Sequence, residues 1–145
     1  MKEILQCEAI IENLDEVRDF VEEKLAELAC NPKLQLQLLI ATEEIFVNIA
    51  HYAYAKLDEN GQPIQGTGSG PMTLVFEEEN SQVTLTFEDE GTPFNPLEKT
   101  DPDITLSAED RTIGGLGILM VKKSMDEVSY EYKDGKNIFK IMKRI

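Results

Sequence analysis

The sequence predicts an α+β protein, a two-layer α/β sandwich in which helices cover one face of a mixed, mostly antiparallel sheet. Two N-terminal segments carry apolar residues at steps of three and four, which is the helical period. Two later segments alternate apolar and polar residues, as strands with one buried face do, and two further segments flank a strong hairpin turn. The 145 residues suit one ordinary domain, so we expect a single domain over 1–145.

The chain is predicted to begin with a strand and a helix. Residues Glu3 to Ile11 contain apolar side chains without a helical period and indicate an edge strand. Asn13, followed three residues later by Glu16, resembles a capping box that starts the first helix. The buried stripe of that helix is expected to consist of Leu14, Val17, Val21, Leu25 and Leu28. The acidic residues between them form its solvated face.

The second helix is predicted from Asn31 to about Tyr54. Asn31 is an N-cap residue, and Pro32 occupies the first helical position, where proline is favoured. This helix is much more apolar than the first, so we expect it to be buried on most sides. The glycine- and proline-rich segment from Leu57 to Pro71 is predicted to be a flexible connection or a long hairpin loop.

Two hairpins and a third helix complete the predicted order. Met72–Glu78 and Val83–Asp89 alternate and flank a polar turn. A long, acidic loop is expected over 91–114, and a helix over 116–125. The last two strands, 127–132 and 137–143, flank Asp134-Gly135, which is a strong hairpin signal.

Composition limits the possible functions. The formal net charge is −14, from 28 acidic and 14 basic residues, which argues against a nucleic-acid partner because phosphates would be repelled. No apolar run approaches the ~20 residues that span a bilayer, and the N-terminus lacks the pattern of a secretion signal. We therefore expect a cytoplasmic protein without a membrane segment. Cys7 and Cys30 are expected to be free thiols, and one histidine without a cysteine cluster argues against structural zinc.

Three segments carry residue types that suit a nucleotide site. In the second helix, Glu44 and Asn48 are four residues apart and share one face. An amide oxygen is a suitable ligand for Mg²⁺, and a glutamate can take a proton from a nucleophile. The alternative is that both side chains lie at the exposed edge of the helix and have no function.

The second segment follows the strand that ends at Asp89. A carboxylate there can accept a hydrogen bond from an exocyclic amine such as that of adenine. Gly91 permits unusual backbone angles or the close approach of a ligand. Pro93 and Phe94 complete the segment. An ordinary turn is the alternative, because Asp-x-Gly-x-Pro suits turns well.

The third segment is a glycine-rich turn that opens the predicted third helix. Gly114, Gly115 and Gly117 precede or begin that helix, whose first N–H groups and dipole favour phosphate. Arg111 can add charge-assisted bonds to an outer phosphate. The segment matches neither a Walker A sequence nor a G-x-G-x-x-G turn after a strand. A glycine-rich helix start without a ligand is the alternative. The three segments together supply metal, base and phosphate contacts, and therefore predict bound ATP with Mg²⁺.

With these motifs in this order, the chain resembles the GHKL ATPases, the Bergerat fold shared by histidine kinases and gyrase-type ATPases. Within that superfamily it is most similar to small anti-sigma regulatory factors that act as serine/threonine protein kinases. The resemblance covers essentially the whole chain. It is carried by Glu44 and Asn48, by the motif from Asp89 to Pro93, and by Gly115-Leu116-Gly117.

The resemblance implies roles for these residues. Glu44 would be the general base that activates a serine or threonine hydroxyl, and Asn48 would hold Mg²⁺. Asp89 would bind the adenine amine, and the glycines with Leu116 would surround phosphate under a lid over residues 95–113. Arg111 would touch the γ-phosphate, although its spacing to the glycines does not match the family. A family threonine near adenine corresponds to about Asn137, and His51 is one position earlier than the usual histidine, so no catalytic role follows for it.

The resemblance also implies partners. Proteins of this kind bind a sigma factor, phosphorylate a small antagonist protein, and commonly form homodimers. Two other functions stay open at this point. One is a non-catalytic interaction module that nucleotide binding controls, and the other is a hydrolase or a detached ATP-binding lobe of a histidine kinase. His51 lies inside the apolar helix and would be a poor phosphate acceptor.

Overall fold

The computed structural model describes residues 1–98 and 115–145. Its helices and strands, numbered in chain order, are β1 (Lys2–Glu8), α1 (Leu14–Glu27), α2 (Pro32–Asn48), β2 (Lys56–Leu57), β3 (Pro63–Ile64), β4 (Pro71–Glu79), β5 (Gln82–Asp89), α3 (Gly115–Ser124), β6 (Glu127–Lys133) and β7 (Lys136–Arg144). Short 3₁₀ turns cover Ile11–Asn13 and Pro96–Glu98. A π-helical turn over Ile49–Ala53 extends α2.

The main sheet has five strands in the order β1-β4-β5-β7-β6. Every ladder among the described strands is antiparallel, so the predicted mixed character is not seen there. The predicted edge strand is confirmed as β1, although it ends at Glu8 rather than at Ile11. Both predicted hairpins are present, and their turn residues have positive φ at both central positions, as type I′ turns require. Those residues are Asn80, Ser81, Asp134 and Gly135.

The core lies between the helices and one face of this sheet. Alternate residues of the central strands point toward the helices and are buried: Met72, Leu74 and Phe76 of β4, Val83, Leu85 and Phe87 of β5, and Phe139 and Ile141 of β7. Val17, Val21 and Leu25 of α1 and Leu38, Ala41, Ile45 and Phe46 of α2 face them. The two-layer α+β prediction is therefore confirmed.

Local details of the helices differ from the predictions. Asn31 caps α2 as predicted, since its side chain accepts a hydrogen bond from the Lys33 N–H at 2.8 Å. The capping box at α1 is wrong, because Asn13 makes no side-chain cap and instead donates to the Glu8 carbonyl at 2.9 Å. The segment after α2 contains the short β2–β3 hairpin, which is one of the two alternatives that the sequence left open.

No helix in the described residues is both long and apolar enough to cross a membrane. Cys7 and Cys30 are both free thiols, as expected.

Candidate nucleotide site

A cleft opens between α2, the end of β5 and the beginning of β7. Its empty volume is about 480 Å³ when the open solvent at its mouth is included. Most of its wall is apolar and includes Ile45, Ile49, Ala53, Ile118 and Phe139. Its polar lining residues include Asn48, Asp89 and Asn137. A mostly apolar cleft with a few polar groups suits a flat aromatic ligand that also carries hydrogen-bonding edges.

Strand alternation explains why Asp89 reaches this cleft. Val83, Leu85 and Phe87 point toward the helices, and Asp89 is the next residue in the same row. Asn137 is its direct cross-strand partner and opens the equivalent row of β7. The two polar side chains therefore meet beneath α2, where the sheet would otherwise continue with apolar residues.

The Asp89 carboxylate is buried but not isolated. Its Oδ1 accepts hydrogen bonds from the Gly91 N–H and from Asn137 Nδ2, each at 2.9 Å. Burial raises the pKa of Asp89, whereas these two hydrogen bonds act in the opposite direction. Neither donor uses Oδ2, and that atom is not among the fully buried, unpartnered oxygens of the described residues. Asp89 therefore lines the cleft with one carboxylate oxygen, Oδ2, that has no partner among the described residues.

Asn48 contributes an amide to the wall of the cleft on the α2 side. The residue is half-buried, and its carboxamide makes no hydrogen bond with any residue in the described part of the chain. A half-buried amide without a protein partner is available for a ligand or for a metal ion. The structure thus brings Asn48 and Asp89 to one cleft, as the sequence predicted.

Glu44 lies beside the cleft rather than in its wall. The residue is half-buried, one helical turn before Asn48, and its carboxylate packs against the first turn of α3. A Cβ placed on Gly117 would be 2.0 Å from Glu44 Oε2 and 2.7 Å from its Cδ. Gly117 is therefore the residue that lets the carboxylate approach the α3 backbone. Ile118, the next residue, does line the cleft.

Gly91 is required by a close contact with the protein itself and not by unusual backbone angles. Its φ is not in the left-handed region, and it does not line the cleft. A Cβ at this position would lie 2.2 Å from the Ala53 carbonyl oxygen, which accepts a hydrogen bond from the Thr92 N–H at 2.9 Å. The end of the helical segment thus approaches this position closely enough to require glycine.

Tyr54 makes a second connection between the end of this helical segment and the strand that carries Asp89. Its hydroxyl accepts a hydrogen bond from the Glu90 N–H at 2.7 Å and donates one to the Pro71 carbonyl. These hydrogen bonds hold the end of the helical segment that carries Asn48 against the strand end that carries Asp89.

The other predicted residues are distributed as follows. Phe94 lines the cleft with its side chain 42% exposed, and Pro93 is exposed and not part of the lining. Gly115 and Leu116 belong to the first turn of α3. Arg111, Gly114 and most of the expected lid over 95–113 lie outside the described residues.

Tyr130 is a site residue for which the sequence offered no hypothesis. It lines the cleft and donates a hydrogen bond from its hydroxyl to Asn137 Oδ1. The usable signal was alternation, because Tyr130 and Val128 are the half-buried positions of the otherwise exposed β6. His51 lies in the π-helical turn, away from this lining, with its ring at the edge of Tyr52.

Comparison with known proteins agrees with this architecture. Residues 7–143 match the histidine kinase-like ATPase domain family. The chain therefore belongs to that family.

Two similar proteins extend the comparison. The serine/threonine-protein kinase BtrW of Bordetella bronchiseptica is 25% identical over 105 residues, which are 72% of this chain and 67% of that protein. The solved structure of the RsbU and RsbW domains of Rv1364c from Mycobacterium tuberculosis matches 99% of this chain with a TM-score of 0.63 and 14% identity. This chain corresponds to only 32% of that longer chain. At this identity, the structural match supports the fold alone.

Proposed function

We propose that this chain binds ATP with Mg²⁺ in the cleft and phosphorylates a hydroxyl group of a small protein, as a serine/threonine kinase of the anti-sigma type. The observation that carries the proposal is one cleft with three complementary features. Its wall is mostly apolar, Asp89 keeps an acceptor oxygen, and the Asn48 amide has no partner among the described residues. Membership of an ATPase family and the similarity to a named serine/threonine kinase support the same conclusion.

Each side chain has a stated task in this proposal. Asp89 accepts the exocyclic amine of adenine through Oδ2, and the apolar wall holds the ring. Asn48 ligates Mg²⁺, which is usually held by one or two protein oxygens together with phosphates and supplies charge neutralisation for phosphoryl transfer. The first turn of α3, Gly115 to Gly117, provides N–H groups to the phosphates. Arg111 and Gly114 are proposed to contact phosphate as well, within a lid over 95–113.

Glu44 is proposed to accept the proton of the attacking hydroxyl. The substrate oxygen then bonds to the terminal phosphorus, the bond from that phosphorus to the bridging oxygen breaks, and ADP leaves. Glu44 is suited to this task because no described residue donates a hydrogen bond or forms an ion pair to its carboxylate. It lies next to the α3 turn that is proposed to hold phosphate.

The proposed partners are a sigma factor and a small antagonist protein, which is the phosphate acceptor, in a cytoplasmic homodimer. The net charge of −14 supports a basic protein surface as one partner, because opposite charge accelerates encounter. We propose that residues 1–145 act as one domain in these contacts.

A second candidate function uses the same cleft without phosphotransfer. Glu44 packs against Gly117 and is absent from the cleft lining, so nucleotide binding alone does not require it. In this alternative the chain is a non-catalytic module in which ATP controls a protein contact. Both functions need the same nucleotide site, and only phosphotransfer separates them.

The nucleotide site is tested by calorimetric titration with a non-hydrolysable ATP analogue, with and without Mg²⁺. We expect saturable binding to the wild-type protein that depends on Mg²⁺. Asn48→Ala should weaken binding about tenfold or more in the presence of Mg²⁺, since a metal ligand is lost, and much less in its absence. Asn60→Ala is the matched control, because Asn60 is exposed in the β2–β3 turn. Absence of binding to folded wild-type protein would overturn the proposed function.

Gly117→Ala tests the contact between α3 and the proposed base. We expect the fold to persist, because the new methyl group meets the flexible end of Glu44 rather than backbone. Alanine also favours helix by about 1 kcal/mol over glycine. The displaced carboxylate should lower phosphotransfer about 10²-fold, the lower end of the range for general-base catalysis.

Two measurements test Gly117→Ala. The first is the transfer of radiolabelled phosphate from ATP to small antagonist proteins encoded in the same genome, and the second is the thermal unfolding of the variant. Met120→Ala, an exposed substitution on the same helix, serves as the control. Wild-type transfer rates in a folded Gly117→Ala protein would show that the position of Glu44 against α3 is irrelevant to the reaction.

A further inference from the structure

Asn137 connects the end of β5, the following turn and β6 through a single buried carboxamide. Its Nδ2 donates to Asp89 Oδ1 at 2.9 Å, to the Thr92 carbonyl at 3.0 Å and to the Gly91 carbonyl at 3.3 Å. Its Oδ1 accepts from the Phe94 N–H at 3.1 Å and from the Tyr130 hydroxyl. The residue is only 6% exposed, so protein groups rather than water satisfy it.

These contacts use the hydrogen-bonding capacity of the carboxamide. An asparagine side chain has two N–H donors and one oxygen with two lone pairs. Both lone pairs of Asn137 Oδ1 face donors, and its two N–H groups are shared among three acceptors. Asn137 therefore has no donor or acceptor left with which to bind a ligand, even though it lies in the wall of the cleft.

The orientation of the amide is also determined. The Phe94 N–H can only donate, so the atom that faces it must be the oxygen of Asn137. The nitrogen consequently faces Asp89, and with the Gly91 N–H it holds Oδ1 of the carboxylate from two directions. Because these two donors fix Oδ1, they also fix the direction in which the other oxygen, Oδ2, points.

Asn137 fixes the turn after Asp89 by the same contacts. The carbonyls of Gly91 and Thr92 and the N–H of Phe94 all bond to this one side chain. Thr92 and Phe94 line the cleft, so their position relative to Asp89 depends on Asn137.

We propose that Asn137 is a positioning residue that aims Asp89 Oδ2 at the exocyclic amine of a purine, with Tyr130 fixing the orientation of the Asn137 amide. The inference rests on the proposed function, since it assumes that a nucleotide occupies the cleft. It goes further in assigning base selectivity to two residues that do not themselves contact the amine.

The test measures selectivity for the amine and not affinity alone. Binding of ATP is compared with binding of purine riboside triphosphate, which lacks only that amine, by calorimetry in the wild type, Asn137→Leu and Tyr130→Phe. We expect the wild type to prefer ATP, because a hydrogen bond to an ionised group is worth roughly tenfold or more in affinity. Asn137→Leu should weaken both nucleotides, because the turn that carries Thr92 and Phe94 loses its contacts, but it should weaken ATP more and so reduce the preference for ATP about tenfold.

Tyr130→Phe keeps the ring and removes only the hydroxyl, so it tests the proposal if Asn137→Leu fails to fold. We expect it to reduce the preference for ATP about threefold, because Asn137 Oδ1 keeps the Phe94 donor. Tyr132→Phe, an exposed residue of the same strand, should leave the preference unchanged. Thermal unfolding of each variant establishes that it is folded.

A measurement without nucleotide completes the experiment. The titration of the Asp89 carboxylate, followed by carbon NMR in the ligand-free protein, should move to higher pH in Asn137→Leu because a donor to the ionised form is lost. Equal weakening of both nucleotides, or an unchanged Asp89 titration, would overturn the positioning role while leaving the proposed function intact. Failure of the folded wild-type protein to bind ATP would overturn the proposed function and this inference together.

Discussion

Glu44→Gln is expected to abolish phosphotransfer while ATP binding stays close to that of the wild type. Glutamine has the shape of glutamate and can occupy the same space against Gly117, but it cannot accept the proton of a substrate hydroxyl. General-base catalysis by one side chain contributes about 10²–10⁴-fold, so the loss should be of that size. Affinity should hardly change because Glu44 is not in the lining of the cleft.

The matched control is Glu43→Gln, the same substitution one residue earlier. Glu43 forms an ion pair with Arg18 at 3.2 Å, and both side chains are about one-third or more exposed. Such surface pairs contribute about 0–1 kcal/mol, so neither folding nor phosphotransfer should change much. The assay is transfer of radiolabelled phosphate to small antagonist proteins, beside calorimetric titration with the ATP analogue. Parallel loss of ATP binding and of transfer in Glu44→Gln would mean that the residue has a structural role.

The same experiment separates the two candidate functions. A wild-type protein that binds ATP but transfers no phosphate to any small antagonist protein of its genome would favour the nucleotide-controlled interaction module. In that case Glu44→Gln and the wild type should be indistinguishable in their contacts with a sigma factor. Transfer that depends on Glu44 would favour the kinase.

Much of the fold was predictable because its signals are local. The Asp134-Gly135 pair supplies the positive φ angles of a type I′ turn, and the β6–β7 hairpin forms around it as predicted. The row of Val83, Leu85 and Phe87 identified the buried face of β5. A continuation of that alternation also places Asp89 on the helix side of the sheet, so its position in the cleft follows from the sequence.

The remaining features depend on contacts that residues make outside their own helix or strand, which the local pattern does not encode. The capping box failed because the Asn13 side chain is bonded to the Glu8 carbonyl at the end of β1. Gly91 needs to be glycine because of Ala53, which is 38 residues earlier in the chain. The π-helical turn over Ile49–Ala53 has no signal in the apolar period.

Asn137 shows the same limit within the site. The resemblance implies a position near adenine for this residue, but its role depends on five partners from two other stretches of the chain, 89–94 and β6. Only the fold shows that protein groups use all the hydrogen-bonding capacity of the Asn137 side chain, so that it is not free to bind a ligand.

Gly91→Ala is expected to reduce both stability and nucleotide affinity. The added Cβ would lie 2.2 Å from the Ala53 carbonyl oxygen, 2.5 Å from its carbon and 2.7 Å from the Ala53 Cβ. Two of these atoms are backbone and cannot rotate away, so the turn must separate from the end of the helical segment. Overpacking costs about 1–3 kcal/mol, and we expect the upper end of that range because the Thr92–Ala53 hydrogen bond is also lost.

Gly135→Ala provides the comparison that makes this result interpretable. Gly135 has a φ of 78° but open space at its Cβ, so alanine there costs about 1–2 kcal/mol of backbone strain without a clash. It lies in the β6–β7 turn and should leave nucleotide binding unchanged.

Denaturant unfolding and calorimetric titration of both variants measure the two effects. A Gly91→Ala protein that loses no more stability than Gly135→Ala and binds ATP normally would show that the approach of Ala53 does not determine the position of Asp89. The predicted loss of affinity follows because the displaced turn carries Thr92 and Phe94, and its Gly91 N–H is one of the two donors that hold the Asp89 carboxylate.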